Sequence, residues 1–593
     1  MNSHTITFCG VLSILASSIS SAWAQQGGEG TESAPATGKT EIRAAGPGVI
    51  VPLSPPETLM GPQLDKKAVF GNFQYDDSVS QRSLDATLRS TFEDNRTSGP
   101  GRANSFLEPG SHWLHDLELN TRNPIGDFKT EFNATLRYTD SRRYDPAFWS
   151  LQRLQFIATD DKNHLTLGDY YATLSQYSLN QSIKGIGYQR NINETTYVRV
   201  LGGTFAPRWD YLWGKQWDES IRRDVTGVRV QNAGQNYRVG LNLVSASDHR
   251  YSSRPAAFDS YRQTLPAVDW EYRSAGGIRW SGEHAQASTR RKDVNGVAKD
   301  LSGTAHRIEG DGSFGDIRWR LRSERVSSDF YTMGGGAVID RLRYYLRGDY
   351  RLNKIWGVYL ANDWYRNNLD GQLAATTRTY IPEAGVTARG LFERRNMNMS
   401  LGLRQRRVET DQPNYNKQVS DRIYVSLADR FGELSVRGEV EALLNRRKDN
   451  LKVRTENDDY LYRIGLDSRH VFQEGRYDFR PYLTLERQTI EDPLTGKTIL
   501  TNGALVDFRL MAPHNLTYAL NFERRYTDNR IPNQVSNELM RYALSVTARP
   551  ALLNGGNVRA EIGKAHYDFT GSNDDYRERY FRVMLDVPFS LEK

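Results

Sequence analysis

Apolar and polar residues alternate with a period of two along most of this chain. Ile317, Trp319 and Leu321 form one set, and Arg318, Arg320, Arg322 and Glu324 the other. In the next segment Leu342, Tyr344, Leu346 and Tyr350 oppose Arg341, Arg343, Arg347, Asp349 and Arg351. Met397, Met399, Leu401 and Leu403 oppose Asn398, Ser400, Arg404 and Arg406; Leu434, Val436 and Val440 oppose Arg437, Glu439 and Glu441. Successive side chains of a strand point to opposite faces, so each segment predicts a β-strand with one apolar and one charged face. A soluble sandwich would need an inner partner sheet for outer faces this charged. A membrane barrel needs none, because lipid covers one face and water the other.

Short turn signals punctuate the strands roughly every 40 residues. They stand at 123–127, 160–163, 191–194, 232–236, 274–277, 314–316, 352–354, 393–396, 430–433, 474–476, 513–515 and 553–557. Each interval holds two strands of ~10 residues around a longer polar loop, for example 247–266 or 287–303. A β-propeller repeats at a similar length but packs four short strands into it, with signatures this chain lacks. Twelve turns and 13 loops join 26 strands, with both barrel ends on the turn side. The predicted fold is all-β: a single antiparallel transmembrane β-barrel of about 26 strands over residues 83–593, about 50 Å across.

Mean hydropathy of -0.65 with 38% hydrophobic residues excludes a helical membrane protein. Aromatic content of 11% is too high for disorder. Tyr237, Trp319, Trp356, Phe479 and Tyr518 stand beside the short turns, where an aromatic girdle belongs. Residues 1–24 read as a signal peptide, an apolar stretch over 6–19 followed by Ala22-Trp23-Ala24. The single cysteine, Cys9, lies in it, so the mature chain has no disulfide, thiolate metal site or covalent c-type haem. Residues 25–82 read as a periplasmic N-terminal extension, partly disordered.

The net charge of +7 conceals a skew: 16 of the 78 basic residues are Lys, leaving 62 Arg. These fall on the alternating strands, and nucleic acid is not expected as a partner. The candidate lumen-lining residues are Arg318, Arg320, Arg322, Arg341, Arg343, Arg347, Arg351, Arg404, Arg406 and Arg437. They offer bidentate pairing to carboxylates and phosphates. The plainer reading is that arginines and acids pair across strands and stiffen the wall. No catalytic constellation, metal site or cofactor is expected. His112 and His115 sit at i and i+3 and face opposite ways on a strand.

Short turns on one side and long loops on the other resemble the layout of bacterial outer-membrane barrels. That implies integral outer-membrane localisation, lipid and the barrel-assembly machinery as partners, and periplasmic termini. The last strand, with Phe581, Val583, Leu585, Val587 and Phe589 on one face, resembles the C-terminal assembly signal of such barrels, although Ser590 to Lys593 follow the aromatic. The stretch His164-Leu165-Thr166-Leu167-Gly168-Asp169-Tyr170, with Ser178 and Ile183 to Tyr188, resembles one strand-loop-strand element of fimbrial ushers over about 25 residues. A Gly-Asp pair is also what a local bend or bulge uses. Size and strand count are similar to MtrB-like barrels that sheathe a multihaem cytochrome for electron export; those often carry an N-terminal C-x-x-C, absent here. The expected function is a wide conduit or porin, not an enzyme, that passes or houses a large anionic cargo, an exported polymer or a protein. The alternatives are the cytochrome sheath and a structural or receptor barrel.

Overall fold

The computed structural model describes residues 82–206, 208–213, 222–249, 259–449, 454–530 and 535–592. The expected signal peptide, and the extension up to residue 81, lie outside them. The described chain forms 27 strand segments in one antiparallel sheet. Segments β20 (Arg454–Ser468) and β21 (His470–Phe472) both pair with β22 (Tyr477–Asp492), so they are one stave interrupted at Arg469. That leaves 26 staves. The sheet closes where β1 (Ser83–Ser98) pairs with β27 (Tyr576–Glu592), in register from Ser83↔Glu592 to Ser98↔Arg577. Closure of the first strand on the last removes the two free edges an open sheet would have, the condition a membrane-spanning sheet must meet.

All 12 predicted turns connect neighbouring strands. Gly126 turns β2 (Gly110–Ile125) into β3 (Phe128–Thr139), and Gly315 turns β12 (Ala298–Phe314) into β13 (Ile317–Val326). Both adopt positive φ, +60° and +56°, which a glycine takes without steric cost. Both barrel ends stand at the turn end, as expected, because Ser83 pairs with Arg122 beside the first turn. The alternation also holds. In β9 (Tyr237–His249) Leu241 and Leu243 are about half exposed, whereas Val244 and Ala246 are buried. The girdle aromatics lie near the turn end on the apolar face, where Trp319 packs against Trp280 at 5.8 Å between ring centres.

The loop expectation needs correction. Most of 287–303 is strand: β11 (Arg279–Lys292) and β12 stay paired from Ala287↔Gly303 to Lys292↔Ala298, leaving a connection of only 293–297. Likewise, of 247–266 only 250–259 lies between β9 and β10 (Ser260–Arg273). Polar, small and β-branched residues read as loop in a sequence, yet a ladder projecting past the apolar band tolerates them on both faces.

The shortest connection outside the tight-turn set, 176–178, marks the main departure from a plain barrel. β4 (Trp149–Thr159) pairs with β5 (Asn163–Ser175) only between Gln155↔Gly168 and Thr159↔His164. β6 (Leu179–Asn191) pairs with β7 (Thr196–Phe205) only from Lys184↔Thr204 onward. Residues 169–183 therefore leave the wall on both sides and form a hairpin tip. Gly168 makes the bend: its φ is +93°, and a Cβ there would stand 2.1 Å from the Leu154 carbonyl oxygen. Asp169 then accepts a hydrogen bond from the Leu154 amide at 2.8 Å, capping the strand it has left.

Candidate functional site: the polar face of the barrel wall

The hairpin tip lies on the polar face, where it meets the 327–340 connection between β13 and β14 (Arg341–Arg351). Together they cover part of that face with an apolar layer. Tyr177 and Phe330, both fully buried, pack with Leu265, Ala267, Ala285, Ala287, Ala305 and Val326. Beside them Leu174, Leu179 and Met333 pack with Leu201, Val225, Val244 and Ala246. The wall positions beneath are small because the backbone above comes close. A Cβ on Gly303 of the wall would meet the Phe330 amide nitrogen at 2.2 Å; within the cover itself, one on Gly335 would meet the Tyr177 carbonyl oxygen at 2.0 Å.

Two buried carboxylates hold the layer in register. Glu283 accepts the backbone amides of Gln176 at 3.1 Å and Tyr177 at 2.9 Å. Glu324 accepts the Tyr177 hydroxyl at 2.9 Å and pairs with Arg341 at 2.9 Å. Burial, then the neighbouring Glu324 charge, pushes the Tyr177 phenol above its ordinary value, so it stays a donor. The two covering segments also bond each other: the Asn180 amide donates to Gly334 O and the Gly336 amide to Gln176 O, both at 2.8 Å. Gln263 of the wall accepts the Met333 amide at 3.0 Å. The backbone and hydroxyl groups named here therefore find partners, as burial requires, although the Nε atoms of Arg307 and Arg341 beside them have none.

A second buried network stands beside the layer. Arg229 of β8 (Arg222–Ala233) donates to both Asp269 carboxylate oxygens, at 2.6 and 2.9 Å. It also donates to Asn242 at 2.7 Å and Gln231 at 2.9 Å, using the whole guanidinium fork.

All ten arginines singled out from the sequence stand on the same face of their strands as Glu324. The structure divides them. Arg322 pairs with Glu309 at 3.2 Å, Arg341 with Glu324, and Arg343 with Asp363 at 2.8 Å. Arg347 pairs with Asp349 at 2.8 Å, and Arg404 reaches Glu383 at 4.0 Å. Arg318, Arg320, Arg351, Arg406 and Arg437 have no carboxylate within 4.0 Å among the described residues. His112 and His115 are held apart, His112 near Asp140 at 3.9 Å and His115 bonded to Ser90 at 2.8 Å.

Sequence reading missed the apolar layer on the polar face. A signal for it existed in the small residues Ala246, Ala267, Ala285, Ala287, Gly303 and Ala305, which follow one another on the polar face of β9 to β12, and in the Gly334-Gly335-Gly336 run.

No protein-family model matches the chain, and no curated protein does. Among solved structures it is similar to the P pilus usher (PapC) translocation pore, with TM-score 0.33 and 11% identity over 85% of this chain and 99% of that one. It is also similar to OpdK with vanillate from Pseudomonas aeruginosa, with TM-score 0.28 and 9% identity over 86% of this chain and 99% of that one. The siderophore receptor PirA from Pseudomonas aeruginosa aligns with TM-score 0.40 and 9% identity over 85% of this chain and 80% of that one. Likeness at this level assigns no family and transfers no residue.

Proposed function

We propose that this protein is an integral outer-membrane conduit whose polar face lines an aqueous interior and whose turn end faces the periplasm. The observation that carries the reading is the segregation of side chains in a closed barrel of 26 staves. Large apolar residues are exposed on one face, for example Leu346, Leu360 and Leu403, while the other face carries arginines and carboxylates. An exposed apolar belt on every side is stable only against lipid, and a charged face only against water. A barrel of this size, about 50 Å across, is too wide for side chains to fill, so the interior has room for a large cargo. Arginines left without carboxylates favour an anionic one, an exported polymer or an acidic protein.

The test is conductance of the purified barrel in planar bilayers at low salt. Anion preference is expected, fading as salt shortens the screening length below ~10 Å. Changing Arg318, Arg320, Arg351, Arg406 and Arg437 to Glu weakens or inverts the preference. Arg343 and Arg347 do not belong in this set, since Asp363 and Asp349 already neutralise them. Cation preference in the unaltered protein refutes the basic interior. Haem absorbance that co-purifies with the barrel would instead favour the cytochrome sheath.

A further inference from the structure

We propose that the turn-end rim of the polar face, from β13 to β23 (Lys497–Ala512), is a docking surface for a linear polyanion bearing carboxylate or phosphate groups. This rests on the conduit reading and adds to it the class of cargo and the place where it first engages. Five arginines make the surface. Arg318 is the second residue of β13, and Arg351 the last of β14. Arg389 is the last residue of β16 (Thr377–Arg389), Arg437 the fourth of β19 (Leu434–Asp449), and Arg509 the fourth from the end of β23. All five are exposed, and none has a carboxylate within 4.0 Å among the described residues.

Their cross-strand neighbours explain why. Arg351 stands opposite Gly357, and Arg389 opposite Asn398. Arg437 is flanked by Ala428 and Gly465. Arg509 has Ala519 on one side and, on the other, Arg480, whose guanidinium is committed to Asp478 at 2.8 Å; Asp507, two residues away on the same face, lines the same hollow without pairing with Arg509. Arg318 faces Asp349, but Arg347 already holds that carboxylate. Higher on the same face the arrangement reverses: Arg341, Arg343, Arg422 and Arg463 each bond a carboxylate at 2.6–2.9 Å. Pairing therefore predominates higher on this face, while at the turn-end mouth these five guanidiniums stay unpaired beside the pairs Arg347–Asp349, Arg430–Glu433 and Arg480–Asp478.

The spacing selects the ligand. Nine stave steps separate β13 from β23, about 55 Å along the rim at ~4.8 Å per strand and a tilt of ~40°. Most gaps between these arginines approach or exceed the screening length of ~10 Å, so a small anion feels one or two of them. A linear polymer engages several together and gains from effective concentration. A folded acidic protein would need aromatic or apolar anchors at the centre of its contact, and the residues directly opposite these arginines are Gly, Ala, Asn, Ser, Asp and Arg.

The test adds linear polyphosphate, or poly-glutamate in a parallel arm, to one side of a planar bilayer holding the full-length protein. A protease-cleavable tag in 234–236 assigns the orientation. Current block is expected from the turn-end side at low salt, lost as salt rises, and stronger for whichever polymer matches the natural cargo. The variant R318Q/R351Q/R389Q/R437Q/R509Q should need at least about tenfold more polymer while its open conductance persists, since exposed pairs are individually weak and gain strength by number. Assembly should survive, because these exposed side chains make no ion pair among the described residues; a variant in which all five are Lys keeps the charge and most of the block. Equal block from both sides, undiminished block of the Gln variant, or block by an acidic folded protein but by neither polymer overturns the proposal. Absence of any conductance in the unaltered protein sinks the conduit reading instead, and polymer binding to the detergent-solubilised barrel, followed by fluorescence anisotropy, then decides the docking surface separately.

Discussion

Replacing Gly303 by Val should unseat the layer that covers part of the polar face. The first added carbon would stand 2.2 Å from the Phe330 amide nitrogen and 2.5 Å from the Asp329 carbonyl carbon. Ordinary contact begins near 3.4 Å, so the 327–340 segment must retreat by about 1 Å or more, and both atoms are backbone. Phe330 then leaves a fully buried seat against Tyr177. Loss of a buried Phe costs about 3–5 kcal/mol. Ordering the segment already costs of order 1 kcal/mol per residue in backbone entropy, which leaves a small margin for the seated state. A loss of 3 kcal/mol shifts such an equilibrium roughly 100-fold. Two measurements read the result. Chymotrypsin, which has Phe330 and Tyr331 as targets, should cut the variant in detergent while leaving the unaltered protein whole at that segment. Single-channel conductance should rise or become noisy. Gly348→Ala is the control, because nothing lies within 4 Å of the added carbon. Protease protection and conductance that match the unaltered barrel would show that the segment does not depend on this seat.

Arg229→Ala should leave Asp269 buried beside Asn242 with only Arg238, at 4.0 Å, as a cation, at a cost of up to about 3 kcal/mol, and lower the temperature at which the barrel loses its compact gel mobility; an unchanged transition refutes the network's role. A tag placed within 250–259 should be labelled on intact cells and one in 234–236 should not, and the reverse pattern overturns the proposed orientation.

The architecture was legible because a membrane barrel repeats one local rule. Alternation shows wherever an apolar residue must face lipid and its neighbour water, and every turn from 123–127 to 553–557 breaks that rhythm with residues suited to a reversal. The hairpin tip was not legible, since it obeys the same rule. Ala172 and Leu174 alternate with Tyr171 and Thr173 as they would in a wall strand. What differs is the surface the apolar set meets, and that depends on β7, β8 and β9, far away in sequence. Loops failed for a related reason: where both faces meet water, the pattern that separates strand from loop disappears.

The arginines show the same limit at the scale of single contacts. Residue identity put all ten on one face, but pairing needs register and reach as well. Arg343 stands directly opposite Glu324, yet it bonds Asp363 of β15 (Trp356–Arg366), and Glu324 goes to Arg341 and Tyr177. Charge on this face is therefore not a sum over residues but a remainder after local matching. Where the neighbours are Asp and Glu, the remainder is close to zero and the contact serves the wall. Where they are Gly357, Asn398, Ala428, Gly465 and Ala519, no directly opposed carboxylate pairs with the guanidinium, and carboxylates further off, such as Asp507 beside Arg509, offset its field only in part. A wall that needed only stiffness would gain nothing from leaving those five exposed, which is why their position, rather than the total of 62, bears on function.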